Sequence, residues 1–139
     1  MSKVAIVFWS GTGNTQAMAA YVAQGVQSAG AEADTYTSAE FDAAKAKEYD
    51  KIAFGCPSMG VEQLEESEFQ PMWDEVKGSL SGKKVGLFGS YGWGDGKWLR
   101  DWVEDAKNAG AQVVGEGLMV NSAPDGSEDE CREYGKALA

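Results

Sequence analysis

The chain has 139 residues, 43% of them hydrophobic, which is enough for the core of one domain spanning residues 1–139. Its formal net charge is −10, with 12 Lys and Arg against 22 Asp and Glu, and this acidity argues against nucleic acid or an anionic membrane surface as a partner. The chain contains no His, so it lacks the most common zinc ligand and the usual carrier of protons near neutral pH, and no metal site is expected.

Five segments predict strands. Four of them are apolar enough to be buried, and the second is more polar, as a strand at the edge of a sheet can be. They are Val4 to Trp9, residues 31 to 37, Lys51 to Cys56, Lys84 to Gly89, and Gln112 to Val120.

Helical spacing of apolar residues recurs between these strands. Met18, Val22 and Val26 form the first stripe, and further stripes run over 69–76 and 98–106. A charged helix is predicted over 127–138, whereas the Ala-rich connection 38–50 has a weaker helical pattern. Three helices are predicted to stop at glycines that precede strands, namely Gly30, Gly82 and Gly110.

Alternating strands and helices predict a parallel sheet with helices on both faces, a doubly wound three-layer sandwich. Ligands of such folds lie at the carboxyl ends of the strands, where the strand order reverses. Three turns at that end are unusual in composition, and they cover residues 10–15, 56–66 and 90–98.

The first turn, "SGTGNT", joins the first strand to the first helix. Its two glycines allow successive N–H groups to point inward as an anion nest, and the helix N-terminus adds partial positive charge. Without Lys or Arg, and without GxGxxG spacing, it best fits one phosphate monoester bound by neutral donors. A polar turn with a helix cap is the alternative. The residues concerned are Ser10, Gly11, Thr12, Gly13, Asn14 and Thr15.

The other two turns offer apolar contacts for a ring. Trp93 lies between two glycines, which suits a stacking surface, and Met59 is a polarizable contact for an aromatic face. The alternatives are a core Trp and a surface Met, and the core role suits Trp73, Trp98 and Trp102, which lie on helical stripes. One phosphate nest and two apolar contacts together predict a mononucleotide, favouring a self-contained redox cofactor.

The motifs "WSGTGNT", "FGCPSMG", "EESEF" and "GLFGSYGWGDGKW" occur in this order, and with them nearly the whole chain resembles flavodoxins, of the short-chain type found in anaerobic bacteria. The resemblance implies a flavodoxin-like five-stranded parallel sheet with strand order 2-1-3-4-5 and bound FMN. The polar fifth strand is interpreted as roughly straight and without an inserted loop, which is consistent with the short-chain type.

The resemblance also implies the roles of the site residues. The first turn would hold the FMN phosphate, Met59 and Trp93 would cover opposite faces of the isoalloxazine, and Glu62 would accept from flavin N3–H. The carbonyl of Gly60 would accept from N5–H after a peptide rotation on reduction. The remaining cofactor contacts implied are Ser58, Val61, Ser90, Tyr91, Gly92 and Gly94.

Two positions depart from the family pattern. Pro57 stands where some members have Ser, so one phosphate hydroxyl is missing. Val61 is β-branched at a place where the rotated turn favours positive φ, which such residues adopt poorly. We expect Val61 to penalise that turn by ~1–2 kcal/mol, on the order of 40–90 mV for one electron.

The function implied is one-electron transfer between redox proteins, with FMN shuttling between semiquinone and hydroquinone, rather than enzymatic turnover. A very low second potential is expected, because FMN would carry an unneutralised phosphate beside an acidic rim. Glu62, Glu65, Glu66 and Asp95 are expected to form that rim. Basic patches on reductases and low-potential oxidoreductases are the expected partners of a cytoplasmic monomer.

Three other functions occur on related α/β folds. A response-regulator receiver needs an acidic pair after the first strand and an Asp at the end of the third, which "WSGTG" and "GCPSMG" do not supply. A low-molecular-weight phosphatase needs a Cys followed by Arg in one loop, and Cys56 and Cys131 both fail that requirement. Both thiols are expected to be structural or inert in a reducing compartment. A flavin-dependent quinone reductase remains an alternative.

Overall fold

The computed structural model describes residues 3–9, 13–58, 64–91, 96–121 and 126–139. The strands are β1 Lys3–Phe8, β2 Glu32–Thr37, β3 Lys51–Gly55, β4 Lys84–Tyr91, β5 Gln112–Val113 and β6 Leu118–Asn121. The helices are α1 Asn14–Ser28, α2 Ala43–Ala46, α3 Phe69–Val76, α4 Lys97–Asn108 and α5 Glu128–Leu138. Short 3-10 turns cover Ser38–Glu40 and Lys77–Ser79. No helix among these residues is long and apolar enough to cross a membrane.

The strands form one parallel sheet in the order β2-β1-β3-β4-β5, and β6 also pairs with β4. This confirms the predicted strand order. The polar second strand lies at the edge, as expected. The predicted helix stops at Gly30, Gly82 and Gly110 coincide with positive φ values of 91°, 78° and 93°. The weak pattern over 38–50 corresponds to one 3-10 turn and the four-residue helix α2.

Side chains alternate between the two faces of the sheet. In β1, Val4, Ile6 and Phe8 pack against α1 and α5, which we call the α1/α5 layer. Ala5 and Val7 point to the opposite face, where α3 and α4 form the α3/α4 layer. From Val4 to Phe8 the strand is hydrophobic, because both of its faces are covered there.

The α1/α5 layer depends on close approach of two helix backbones. A Cβ on Gly135 would overlap the carbonyl oxygen of Val22, and one on Gly25 would overlap that of Arg132. Arg132 lies over the ring of Tyr21, 5.0 Å from its centroid. The first and last helices therefore pack at a distance that only glycine permits.

The α3/α4 layer is aromatic. Trp73 packs edge-on against Phe54 and Trp102, with centroid distances of 5.1 and 5.7 Å. The Trp73 Nε1–H donates to Asp105 Oδ2 at 2.8 Å, and Lys77 pairs with the same carboxylate. The predicted core roles of Trp73, Trp98 and Trp102 are confirmed, since each is at most 2% exposed.

The fifth strand is broken, so the expectation of one straight strand over 112–120 is wrong. Gly115 and Gly117 have φ values of 57° and 82°, which are incompatible with a regular strand and separate β5 from β6. Tyr134 of α5 hydrogen-bonds to two backbone groups beside this break. Its hydroxyl accepts from Leu87 N–H at 3.0 Å and donates to the Val114 carbonyl at 2.9 Å. Burial raises the pKa of Tyr134 to about 12, so its donor proton is retained.

Candidate cofactor-binding site

The backbone remains paired beyond the carboxyl ends of β1 and β3. Three main-chain hydrogen bonds, each of 3.0 Å, run from Trp9 N–H to Gly55 O, from Cys56 N–H to Phe88 O, and from Ser58 N–H to Ser90 O. The segments that leave these strands therefore start from fixed positions along one edge of the sheet.

Two of the predicted turns meet through their hydroxyl groups. Thr15 lies in the first turn of α1 and Ser90 lies near the end of β4, and their Oγ atoms are 3.3 Å apart. The two residues are only 1% and 5% exposed. One O–H suffices for this bond, so the second O–H has no acceptor among the described residues and can serve an oxygen-bearing ligand.

The side chain of Trp98 contacts the start of the 56–66 turn. Its Nε1–H donates to the Cys56 carbonyl at 3.2 Å, and its ring lies 5.8 Å from that of Tyr91. Gly89 allows β4 to approach here, because a Cβ at this position would overlap the Cys56 carbonyl oxygen. The helical stripe predicts Trp98 only as a core residue and carries no signal of this link to the site.

Glu65 holds the other end of the same turn. Its carboxylate accepts backbone N–H groups of Ser67, Glu68 and Phe69 at 2.7–2.9 Å and thereby begins α3. Its own N–H contacts Cys56 Sγ at 3.4 Å. The expectation that Glu65 belongs to an exposed acidic rim is wrong, since the residue is 7% exposed because its carboxylate caps the helix. An acidic residue just before a helical stripe was the available signal.

The protonation state of Glu65 follows from these contacts. Burial alone would raise the pKa of its carboxyl group, but the three backbone donors outweigh burial and the net pKa is lowered. Glu65 therefore carries a negative charge at neutral pH beside the predicted ring-binding turn.

Both cysteines are free and buried, as expected. Burial raises the pKa of the Cys56 thiol to about 12 and that of Cys131 to about 11. A thiolate is the reactive form of cysteine, so neither side chain is set up as a nucleophile at neutral pH.

The predicted site residues divide into two groups. The described ones occupy the carboxyl edge of the sheet or the start of α1, and they are Gly13, Asn14, Thr15, Ser58, Ser90 and Tyr91. The others lie outside the described residues, and they are Ser10, Gly11, Thr12, Met59, Gly60, Val61, Glu62, Gly92, Trp93 and Gly94. The two departures from the family pattern divide likewise, Pro57 being described and Val61 not.

Known proteins resemble this chain along almost its whole length. A sequence model of the family described as flavodoxin matches residues 6–135. A flavodoxin of Clostridium beijerinckii is 46% identical over 134 residues, covering 96% of this chain and 97% of the relative. A Megasphaera elsdenii flavodoxin is 44% identical over 136 residues, covering 98% of each chain.

The solved structures agree with this fold. The solution structure of two-electron reduced Megasphaera elsdenii flavodoxin matches with a TM-score of 0.91 at 44% identity, over 97% of each chain. A flavodoxin from the domain Archaea matches with a TM-score of 0.89 at 26% identity, over 99% of this chain and 96% of the other.

Proposed function

The chain belongs to the flavodoxin family, whose members are electron-transfer proteins that bind FMN, and from this premise we propose where this protein holds FMN and how its residues act on it. FMN lies across the carboxyl edge of the sheet, between the first turn of α1 and the segments that follow β3 and β4. The observation that carries this proposal is the contact between Thr15 and Ser90, which brings a hydroxyl group from each side of that edge to one point.

The described residues fit a phosphate ester. Thr15 and Ser90 have one O–H donor to spare, and α1 directs its N-terminal N–H groups to the same place. Gly13 starts the helix with a φ of 94°. Residues 10–12 complete this loop in the proposal, with Ser10, Gly11 and Thr12 adding neutral donors.

The ring site is proposed between Met59 and Trp93, each at the end of an anchored segment. Residues 59–63 lie between Ser58, which is paired with Ser90, and Glu65, which caps α3. The segment 92–95 follows Tyr91, whose ring packs on Trp98. FMN supplies one-electron chemistry when bound. Met59 and Trp93 would cover the two faces of the ring, Glu62 would accept from N3–H, and the Gly60 carbonyl would accept from N5–H of the reduced ring.

The charge of the protein opposes addition of an electron to the cofactor. The formal net charge is −10, and Glu65 is buried and anionic beside the proposed ring site. Neutral donors would leave the charge of the phosphate in place. The potential for adding the second electron is therefore low, because anions close together in partly apolar surroundings repel each other strongly.

Flavodoxins exchange electrons with other redox proteins. For this chain we propose partners with basic docking patches, among reductases and low-potential oxidoreductases, which would meet a monomer in the cytoplasm. The excess of 22 acidic over 12 basic residues supports such partners. Contacts of this kind are weak, fast and sensitive to salt.

The experiment that tests the site compares FMN affinity between matched variants. Thr15→Val removes one hydroxyl at constant shape and is expected to raise the Kd for FMN about tenfold or more, because a lost bond to a charged oxygen is worth about 1.5–3 kcal/mol. Thr35→Val makes the same exchange on the exposed face of the edge strand β2 and should leave the Kd unchanged. Equal affinities in the two variants would contradict the proposed phosphate site.

A steady-state assay separates the carrier from the quinone reductase alternative. The purified FMN-loaded protein should not oxidise NADH or NADPH with a quinone unless a reductase is added. Turnover by the protein alone would favour the enzyme.

A further inference from the structure

A cleft of about 220 Å³ opens at the carboxyl ends of β1 and β2. The described residues that line it come from β1, α1, β2 and the start of α3, and they are Phe8, Trp9, Gln16, Thr37, Ser38 and Glu68. None of the proposed FMN contacts is among them. We propose that this cleft receives a lysine or arginine side chain of the electron-transfer partner, an inference that rests on the proposed function.

An unpartnered hydroxyl group marks the cleft as a binding site. Ser38 is 3% exposed, and its Oγ has no hydrogen-bond partner among the described residues. Buried hydroxyl groups are nearly always bonded, and leaving one unpaired costs about 1–3 kcal/mol. The oxygen itself is buried, so an N–H donor bound in the cleft would bond to it after rotation of the Ser38 side chain about its Cα–Cβ bond.

The charge of the cleft selects a cation. Glu68 is exposed, and its carboxylate makes no hydrogen bond or ion pair within the described parts of the chain. Glu40 accepts from the N–H and the hydroxyl of Thr37 at 2.9 and 3.0 Å, and these donors lower its pKa, so a second carboxylate is bonded to a lining residue. Glu68 is the one acidic residue of the described lining, which contains no Lys or Arg, so an anion would be repelled.

The walls of the cleft suit the stem of a long basic side chain. Phe8 and the partly exposed Trp9 provide aromatic surface for methylene groups, and an aromatic face also attracts a cation. Gln16, Thr37 and Ser38 add oxygen acceptors. Aromatic walls, acceptors and a free carboxylate together are the chemistry that recognises an alkylammonium or alkylguanidinium group.

Electron transfer to a basic acceptor tests the proposal in the holoprotein. The second-order rate constant for reduction of ferricytochrome c is compared between Glu68→Gln and Glu104→Gln, which removes an equal charge from the exposed side of α4. At low ionic strength Glu68→Gln should slow the reaction about three- to fivefold, as expected for one lost ion pair, and Glu104→Gln much less. Equal rates in the two variants would overturn the proposal.

A titration with small cations tests the cleft without any partner. In nuclear magnetic resonance spectra of the oxidised holoprotein, butylguanidinium chloride should shift signals of Trp9, Gln16 and Ser38 in a saturable manner, whereas butan-1-ol should not. Ser38→Ala should weaken this binding several-fold while the thermal midpoint stays equal or rises. An unchanged titration in Ser38→Ala, or equal shifts with butan-1-ol, would overturn the proposal.

The two proposals fail in different ways. A protein that does not bind FMN would refute the function, yet the butylguanidinium titration would still report on the cleft. A protein that binds FMN and reduces cytochrome c equally in both Glu variants would refute only the cleft.

Discussion

On one face of the sheet α1 and α5 approach so closely that Gly25 and Gly135 leave no space for a Cβ, whereas on the other face α3 and α4 pack through the rings of Trp73 and Trp102. The first layer is held by backbone shape and tolerates no added atom. The second is held by large aromatic rings, of which Trp73 also hydrogen-bonds to Asp105. It contacts the turn after β3 through Trp98 and Glu65. The α1/α5 layer therefore depends on close backbone packing, whereas the α3/α4 layer also holds both ends of the turn that follows β3.

The largest effect is expected at the close helix crossing. Gly135→Ala places a methyl group against the Val22 carbonyl oxygen, where neither helix can yield, and should lower the free energy of unfolding by about 3 kcal/mol. Urea denaturation followed by circular dichroism measures it. The control Gly78→Ala adds the same methyl group where no atom lies within 4 Å, and it should be neutral or slightly stabilising. Similar losses in both variants would contradict the close packing.

The aromatic layer offers two tryptophans that differ in one bond. Trp73 donates to Asp105, whereas the Trp102 Nε1–H is buried without a partner among the described residues. Trp73→Phe and Trp102→Phe remove similar volume, but only the first loses a hydrogen bond to a carboxylate. Trp73→Phe should therefore be less stable than Trp102→Phe by about 1.5 kcal/mol. Denaturation of both variants measures this, and equal losses would show that packing alone holds the layer.

Glu65 tests how much the charged cap of α3 contributes to stability beside the site. Glu65→Gln keeps one acceptor oxygen but loses the charge, and it should destabilise the fold by about 1.5 kcal/mol at pH 7. The pKa of Glu65 is lowered by folding, so its contribution is complete above the ordinary glutamate pKa and is lost as the pH falls through the folded value. Stability measured from about pH 7 to pH 3 should show the gap between wild type and variant closing in acid. A gap independent of pH would contradict the role of the charge.

The smallest effect on folding is expected at Val61, which lies in the sequence between Ser58, paired with Ser90, and Glu65, which caps α3. Val61→Gly should change stability by less than about 1 kcal/mol. It should raise the potential of the first one-electron couple by about 40–90 mV, because glycine accepts positive φ without strain. Anaerobic spectroelectrochemistry gives the potential. An unchanged or lower value would contradict the proposed strain at this position.

The sequence predicted the fold well where the hydrophobic pattern of a single strand or helix reports its burial. The unbroken apolar run of β1 predicted burial on both faces, and Val4 and Ala5 do lie against opposite layers. Gly115 and Gly117 were an available signal for the break between β5 and β6. The hydrogen bonds that compensate for the break could not be predicted, because they depend on Tyr134, about 20 residues later in the chain. No local pattern reports that a tyrosine hydroxyl replaces two bonds of a sheet.

The site was predictable to a similar depth. Thr15 and Ser90 were both expected near the cofactor from their positions after strands, and the structure adds that they contact each other. Glu65 was expected on the acidic rim because charged side chains are usually exposed. In the structure its carboxylate accepts three backbone N–H groups and is buried. Met59 and Trp93 lie outside the described residues, so their contacts with the ring stay predictions.

The hydroxyl of Tyr134 has a consequence for synthesis on the ribosome. The sheet cannot satisfy Leu87 N–H and Val114 C=O until α5 has emerged, and α1 lacks its partner helix until the same moment. A nascent chain that ends before Glu128 therefore has an open sheet edge and an uncovered apolar face on α1. The close crossing of α1 and α5 therefore forms only after the segment that contains α5 has been synthesised.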